Sequence, residues 1–260
     1  MSGQPLILIF LTLLSGGIVG FTLGLMGGGG SILATPLLLY VVEVRDVHTA
    51  IGTGAIAVSV NAYANLYGHW REGHVWWRCA LVFTAGGVVG ALLGSTLGKA
   101  VDGNRLLFFF GLLMVLVAFL MRRPLKIRAS SHVEITSSSH AVLAALALLV
   151  GFCSGLFGIG GGFLIVPGLM LATGMPLVNA IGSSLLAVGT FGLATALNYS
   201  LSGFIDWPIA ALFVLGGILG GFVGLAAAVR LSTRHGVLNR VFSAIVLAVS
   251  VYILFRSLEH

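Results

Sequence analysis

The sequence predicts an all-α polytopic membrane protein made of two homologous repeats, each with a helix broken by glycines. Three observations predict it. Apolar residues fill 58% of the 260 positions and charged residues only 8%, against about 25% charged in a soluble domain. Apolar runs long enough for a bilayer recur along the chain. A distinctive set of residues also recurs between the two halves at a nearly constant offset.

A hydrocarbon core takes about 20 apolar residues per helix. Long spans are expected near 5–26, 49–69, 76–98, 105–121, 140–157, 178–201, 207–229 and 236–256. Shorter apolar pieces near 31–42 and 163–173 follow two glycine runs, giving about 8–10 membrane segments in all. The N-terminal MSGQPLILIFLTLL lacks a basic leader and stays apolar past Gly20, so a retained first span is expected rather than a signal peptide. The first repeat covers 5–121 and the second 140–257. Between them, 122–139 (RRPLKIRASSHVEITSSS) is a polar, basic linker, and 258–260 read as a tag scar.

The repeats are visible residue by residue. Val19-Gly-Phe-Thr-Leu-Gly-Leu-Met-Gly27 matches Val150-Gly-Phe-Cys-Ser-Gly-Leu-Phe-Gly158, and Pro36 matches Pro167 in the same register. Ala50-Ile-Gly-Thr53 matches Ala180-Ile-Gly-Ser183, and Gly73 and Trp77 match Gly203 and Trp207. Gly86, Gly87, Gly90 and Gly94 match Gly216, Gly217, Gly220 and Gly224. Each copy is a unit of about 120 residues.

Loop charge gives the relative orientation. If each half crosses five times, nine of the 13 basic residues fall on one side: Arg71, Arg78, the four of the linker, Arg230, Arg234 and Arg240. Four crossings per half leave the split nearly even. The positive-inside rule therefore favours odd, inverted halves with the linker in the cytoplasm of an inner-membrane, multi-pass protein. The net charge of +6 sits in these connections, so it reads as a topology anchor and no nucleic-acid partner is expected.

The glycine runs carry the functional expectation. Glycine costs a helix interior about 1 kcal/mol relative to alanine, and Gly27, Gly28, Gly29 and Gly30 stand in a row before Ser31. Gly158, Gly160, Gly161 and Gly162 occupy the equivalent place. Non-helical backbone at membrane depth is tolerated only inside protein or along a cavity. In inverted repeats the two runs can meet near the midplane. Helices restarting there present free N–H groups and a partial positive end, and the missing Cβ atoms let an anion approach. Pro36 and Pro167 are expected to kink the following helices. Four consecutive glycines point all round a helix, so a packing face alone does not explain them. The spaced Gly86/Gly90/Gly94 and Gly216/Gly220/Gly224 do read as packing faces.

No span interior carries a clear carboxylate, lysine or arginine, which argues against a cation path. Neutral groups do occur inside: Thr53, Asn61, Asn65, Ser183, Ser184, Thr190 and Asn198. Thr53, Ser183 and Ser184 are the next substrate-binding candidates because they sit at equivalent repeat positions. His48 and Asn179, which start the same helices, and Asn61 are further candidates, against plain roles in capping and interhelical bonding. Cys79 and Cys153 make no disulfide framework; Cys153, near the second run, is a candidate for handling sulfur. No P-loop, dinucleotide fingerprint or H-E-x-x-H motif occurs, so neither enzyme activity, cofactor nor metal is expected.

At the glycine runs the chain resembles the sulfite exporter TauE/SafE family of membrane permeases. Gly158-Ile-Gly-Gly-Gly-Phe-Leu-Ile-Val-Pro167 is similar to the family's GxGGGxxxxP segment, and Gly27–Pro36 fits with Ser31 for the last glycine. Ala180–Ser184 and Gly203–Trp207 also look like family features. The first half departs at Gly54 and at Trp76, which stands where the second half has Asp206. The resemblance implies a permease for sulfite or small organosulfur anions such as sulfonates. An inside-negative potential drives a monovalent anion outward by about 2.3 kcal/mol per 100 mV, so export without a coupling ion is expected. A channel-like anion pore, a proton-coupled importer and a non-transporting assembly subunit are the alternatives; a homo-oligomer is compatible with any of them.

Overall fold

The computed structural model describes residues 4–122, 137–230, 244 and 246–255, and these contain helices and no strand. The helices are α1 (Gln4–Met26), α2 (Ala34–Tyr40), α3 (Val47–Arg71), α4 (Trp77–Ala100), α5 (Gly103–Arg122), α6 (Ser137–Phe157), α7 (Gly162–Thr173), α8 (Leu177–Ser200), α9 (Trp207–Arg230) and α10 (Val246–Phe255). A 3-10 segment, Gly27–Leu33, joins α1 to α2. Helices α1, α4, α8 and α9 are each long and apolar enough to cross a membrane. Most of the linker and the terminal 258–260 lie outside the described residues, as do Arg234 and Arg240.

Apolar side chains cover the outside as a lipid-facing protein requires. Phe10, Leu81, Leu93, Phe109, Leu219 and Phe222 are all more than half exposed, whereas α8 is buried along most of its length. The fold is thus a ring of apolar helices around α3 and α8.

Glycine contacts give the helix directions. Gly16, Gly20 and Gly24 of α1 lie against the backbones of Phe213, Gly217 and Gly221 in turn, so α1 and α9 run parallel. Gly151 and Gly155 of α6 lie against Gly87 and Ala91, so α4 and α6 run parallel. Asn61 and Asn65 of α3 meet Gly217 and Gly221, which aligns α3 with α9. Phe83 meets Phe191, and Lys99 meets Asn198, which aligns α4 with α8. Helices α3 and α8 cross antiparallel: Gly52 lies by Tyr199, and Ser59 Oγ donates to Gly189 O at 2.7 Å.

These relations have a topological consequence. Helices α1, α3 and α9 point one way; α4, α6 and α8 point the other. Since α1 and α3 share a direction, the 3-10 segment and α2 must bring the chain back between them. Between α6 and α8 the second glycine run and α7 do the same. The short pieces after the glycine runs are therefore return paths.

Equivalent positions also end their helices alike. Gly73 (φ 74°) follows α3, where its N–H reaches Trp70 O and the His74 N–H reaches His69 O, each at 3.0 Å. Gly203 (φ 76°) follows α8, with Gly203 N–H on Ser200 O at 3.0 Å and Phe204 N–H on Tyr199 O at 3.1 Å. Only glycine takes this left-handed cap without a steric penalty.

Two local expectations change. Pro36 falls in the first turn of α2, where its missing N–H removes no helical bond, so it begins a helix instead of kinking one. The first glycine run is also not an open loop: it winds as 3-10 helix straight into α2.

Candidate functional site

The second glycine run is the true break. Gly158, Gly160 and Gly161 hold φ of 66°, 65° and 65°, and α7 begins at Gly162 with no side chain capping its first turn. In the first run only Gly27 (φ 67°) is left-handed among the residues whose angles are described. Ser31, where the second run has Gly162, sits inside the 3-10 turn. Gly28 and Gly29 belong to the same turn.

The two runs enter the centre from opposite sides. Gly27 packs on Ile181 and Ser184 near the start of α8, and Gly158 packs on Ile51 near the start of α3. Gly160 lies between Val58 and Val188, beside the point where Ser59 joins Gly189 and α3 crosses α8. Helix α7 packs against the 3-10 segment. Gly27, Gly30, Ser31, Ser184 and Gly158–Gly162 are all buried, so this conformation closes the centre to both faces.

The hydroxyl candidates divide. Ser184 stands at the first run, and its Oγ donates to Ile181 O at 2.7 Å. Thr53 and Ser183 instead tie loops: the Asp206 N–H donates to Thr53 Oγ1 and the Trp76 N–H donates to Ser183 Oγ, both at 2.9 Å. Because α3 and α8 are antiparallel, these ties lie at opposite ends of the molecule. Each joins a helix of one half to the loop that starts α4 or α9 of the other.

The remaining candidates are dispersed. His48 stacks on Phe204 with ring centroids 5.5 Å apart, and its Nδ1 is buried without a partner. It does not cap α3; Asp46 does, accepting from the Thr49 N–H at 2.7 Å. Asn179 is half-buried in the first turn of α8, whose N-cap is Pro176. Asn61 is wholly buried on α3 with neither amide atom paired. Cys153 is a half-buried free thiol on α6.

Two residues at the breaks were not among the binding candidates. Ser154 packs beside Gly161, and Thr35 lies near Gly54; both are buried with hydroxyls lacking a partner. A buried unpaired hydroxyl costs about 1–3 kcal/mol, which makes both natural contacts for a polar guest. Neither stood out in sequence because the repeat partners, Leu23 and Val166, are apolar.

No cationic side chain enters this centre among the described residues. Lys99 is held away at the end of α4 by Asn198 O, Asn198 Oδ1 and Ser202 Oγ at 3.0, 2.7 and 2.9 Å. No cluster of three or more metal-ligating side chains occurs among the described residues. The centre offers backbone N–H groups and hydroxyls, the donors suited to a small oxyanion.

Comparison with known proteins decides the family. The profile described as Sulfite exporter TauE/SafE matches residues 12–253. The chain belongs to this family. A "Probable membrane transporter protein" of Xylella fastidiosa (strain 9a5c) is 57% identical over 96% of each chain. A protein of the same description from Bacillus subtilis (strain 168) is 28% identical, covering 86% of this chain and 90% of its own. One from Methanocaldococcus jannaschii is 25% identical over 88% and 90%. The TauE/SafE match spans both glycine runs, and the chain is a membrane transporter protein.

Proposed function

We propose that the protein is a secondary transporter that moves a small sulfur-containing anion, sulfite or an organosulfonate, outward across the inner membrane. The observation that carries this is the convergence of two buried glycine runs on the α3–α8 crossing, where the Thr35 and Ser154 hydroxyls are unpaired and no charged side chain enters among the described residues. Gly27–Ser31 and Gly158–Gly162 supply backbone N–H groups, and Ser184, Ser154 and Thr35 supply hydroxyls. The paired contacts of the halves support inverted repeats, and inverted repeats rock about a fixed central site to give alternating access.

The test is release of sulfite from proteoliposomes under an imposed inside-negative potential. Protein-dependent release driven by the potential alone is expected. Absence of release for sulfite, sulfonates and thiosulfate alike would overturn the reading. Saturation and counterflow would mark a carrier, whereas very high unitary flux would mark a pore.

A further inference from the structure

The aromatic pair at the end of α8 has a histidine counterpart at the end of α3. Tyr199 and Phe204 hold their rings 6.2 Å apart at 58°. His69 and His74, at the equivalent positions, hold theirs 5.8 Å apart at 57°. The two slots share their backbone caps and their ring geometry. One is filled by a phenol and a phenyl ring, the other by two imidazoles.

The bonding of His69 defines its proton. The ring is 2% exposed, and Nε2 lies 3.3 Å from Gly24 O. A carbonyl oxygen only accepts, so Nε2 carries the hydrogen and the neutral ring presents a bare lone pair at Nδ1. That Nδ1 is buried with no partner, and so is Nδ1 of His74. Two buried imidazole nitrogens without partners stand side by side at this end; at the other, His48, whose Nδ1 is also buried and unpaired, packs on Tyr199 and Phe204.

The surroundings hold few competing charges. Arg71 and Glu72 flank the pair in sequence, and Arg78 follows in the first turn of α4. Helix α1 contains no titratable residue, and α9 contains none before its final Arg230. Helix α8 presents Gly182 to the His74 backbone and has no titratable group until Tyr199 at its far end.

The pair also connects inward. Gly24 lies in the last turn of α1, just ahead of Gly27 and the first glycine run. Below His69 on the same face of α3, Asn65 Nδ2 donates to Asn61 O at 2.9 Å, and the Asn61 amide is unpaired at the level of Gly217. A cavity of about 10 Å³, near the size of one water, opens beside Asn65.

We infer that His69 is a proton-binding site, loaded through His74, that couples protonation at this end of the molecule to the first glycine run through Gly24. The proton adds to Nδ1, and the imidazolium keeps its Nε2–H on Gly24 O. A charged donor makes that bond shorter and about twice as strong, which changes how firmly the end of α1 is held ahead of Gly27. The coupling rests on the transport reading above; the proton site itself does not.

The test has two arms. In lipid nanodiscs, imidazole ¹⁵N shifts of histidine-labelled protein should show His69 passing from the Nε2–H tautomer to imidazolium as the pH is lowered through the acidic range. His74→Phe should slow or shift that step. A ring that stays neutral throughout overturns the proposal, whatever the protein transports. In proteoliposomes the probe is methanesulfonate, whose charge is constant in this range, whereas sulfite itself takes up a proton. One pH unit at the α3 C-terminal face changes a single site's protonated fraction by up to about tenfold, and flux should follow. The double variant His69→Tyr/His74→Phe copies the Tyr199/Phe204 pair the fold already packs, so it should keep flux at fixed pH and lose the response. His69→Gln serves if the double variant does not fold. Retention of the full pH response in a folded variant overturns the coupling. If no anion moves at all, the transport reading fails and the nanodisc titration alone decides the proton site.

Discussion

The backbone N–H of Trp76 donates to Ser183 Oγ at 2.9 Å, and this bond reaches from the loop before α4 to a helix of the other half. Asp206 N–H on Thr53 Oγ1, also at 2.9 Å, is the same bond with the halves exchanged. Both acceptors are wholly buried, so removing either leaves a partly buried N–H unpaired. Ser183→Ala and Thr53→Val should each lower stability by about 1 kcal/mol. The ties are at opposite ends of the molecule, so the double variant should show the sum. Thermal unfolding in detergent measures it. Unchanged stability with a raised KM would assign these hydroxyls to the substrate instead.

Gly160 and Gly73 separate backbone conformation from crowding. Both have positive φ, at 65° and 74°. Around Gly73 nothing lies within 4 Å of an added Cβ, whereas at Gly160 the Cβ would press on Val188 and Val58. Gly73→Ala should therefore cost only the left-handed penalty of about 1–2 kcal/mol and leave flux intact. Gly160→Leu, and Gly29→Leu in the other run, should abolish transport in protein that still elutes as a folded species. Full flux in both leucine variants would remove the glycine runs from the mechanism.

How much of this was legible in the sequence follows from what periodicity and repetition record. Spans such as 178–201 and 207–229 emerge as α8 and α9 nearly residue for residue, because length and apolarity set them. The matching Gly73 and Gly203 prove to be two like caps, at positions where a left-handed backbone accepts little else. What one half does alone was hidden. Ser154 and Thr35 have apolar repeat partners, so comparing the halves passed over them. His69 stands near the end of an apolar run, and only packing against α1 shows it buried. Likewise Thr53 and Ser183 stand at matching places in the sequence, but hydrogen-bond partners in a distant loop leave no trace in local spacing.

Gly20 and Gly151 test the contacts that hold the halves together. A Cβ at Gly20 would strike the backbone of Gly217, and one at Gly151 would strike the backbone of Gly87. Backbone cannot swing aside as a side chain can, so α1 must back away from α9, or α6 from α4. Gly20→Val and Gly151→Val should each cost about 1–3 kcal/mol, and by similar amounts because the contacts are equivalent. Gly17, whose added Cβ would sit 3.6 Å from Gly216 O in ordinary contact, should accept alanine with little change. The comparison is read from midpoints of thermal unfolding in one detergent. Equal stability of Gly20→Val and wild type would mean that these helices do not depend on close approach.

Among the described residues Lys99 has no carboxylate partner. Its ammonium spends its three hydrogens on Asn198 O, Asn198 Oδ1 and Ser202 Oγ. Asn198 Nδ2 in turn donates to Ser95 Oγ at 2.7 Å and Thr96 Oγ1 at 3.0 Å. The network fastens the end of α4 to the end of α8. Lys99→Met keeps the apolar stem and deletes the donors, so stability should fall by about 1–3 kcal/mol. Lys99→Arg should not restore it, because a planar fork cannot converge on three acceptors as a tetrahedral ammonium does. Transport kinetics discriminate the other role open to a lysine in a membrane transporter. If Lys99 only fastens helices, the surviving folded fraction has an unchanged KM that is insensitive to ionic strength. If it draws the anion in, KM rises in Lys99→Met, rises less in Lys99→Arg, and the difference fades as salt screens the charge.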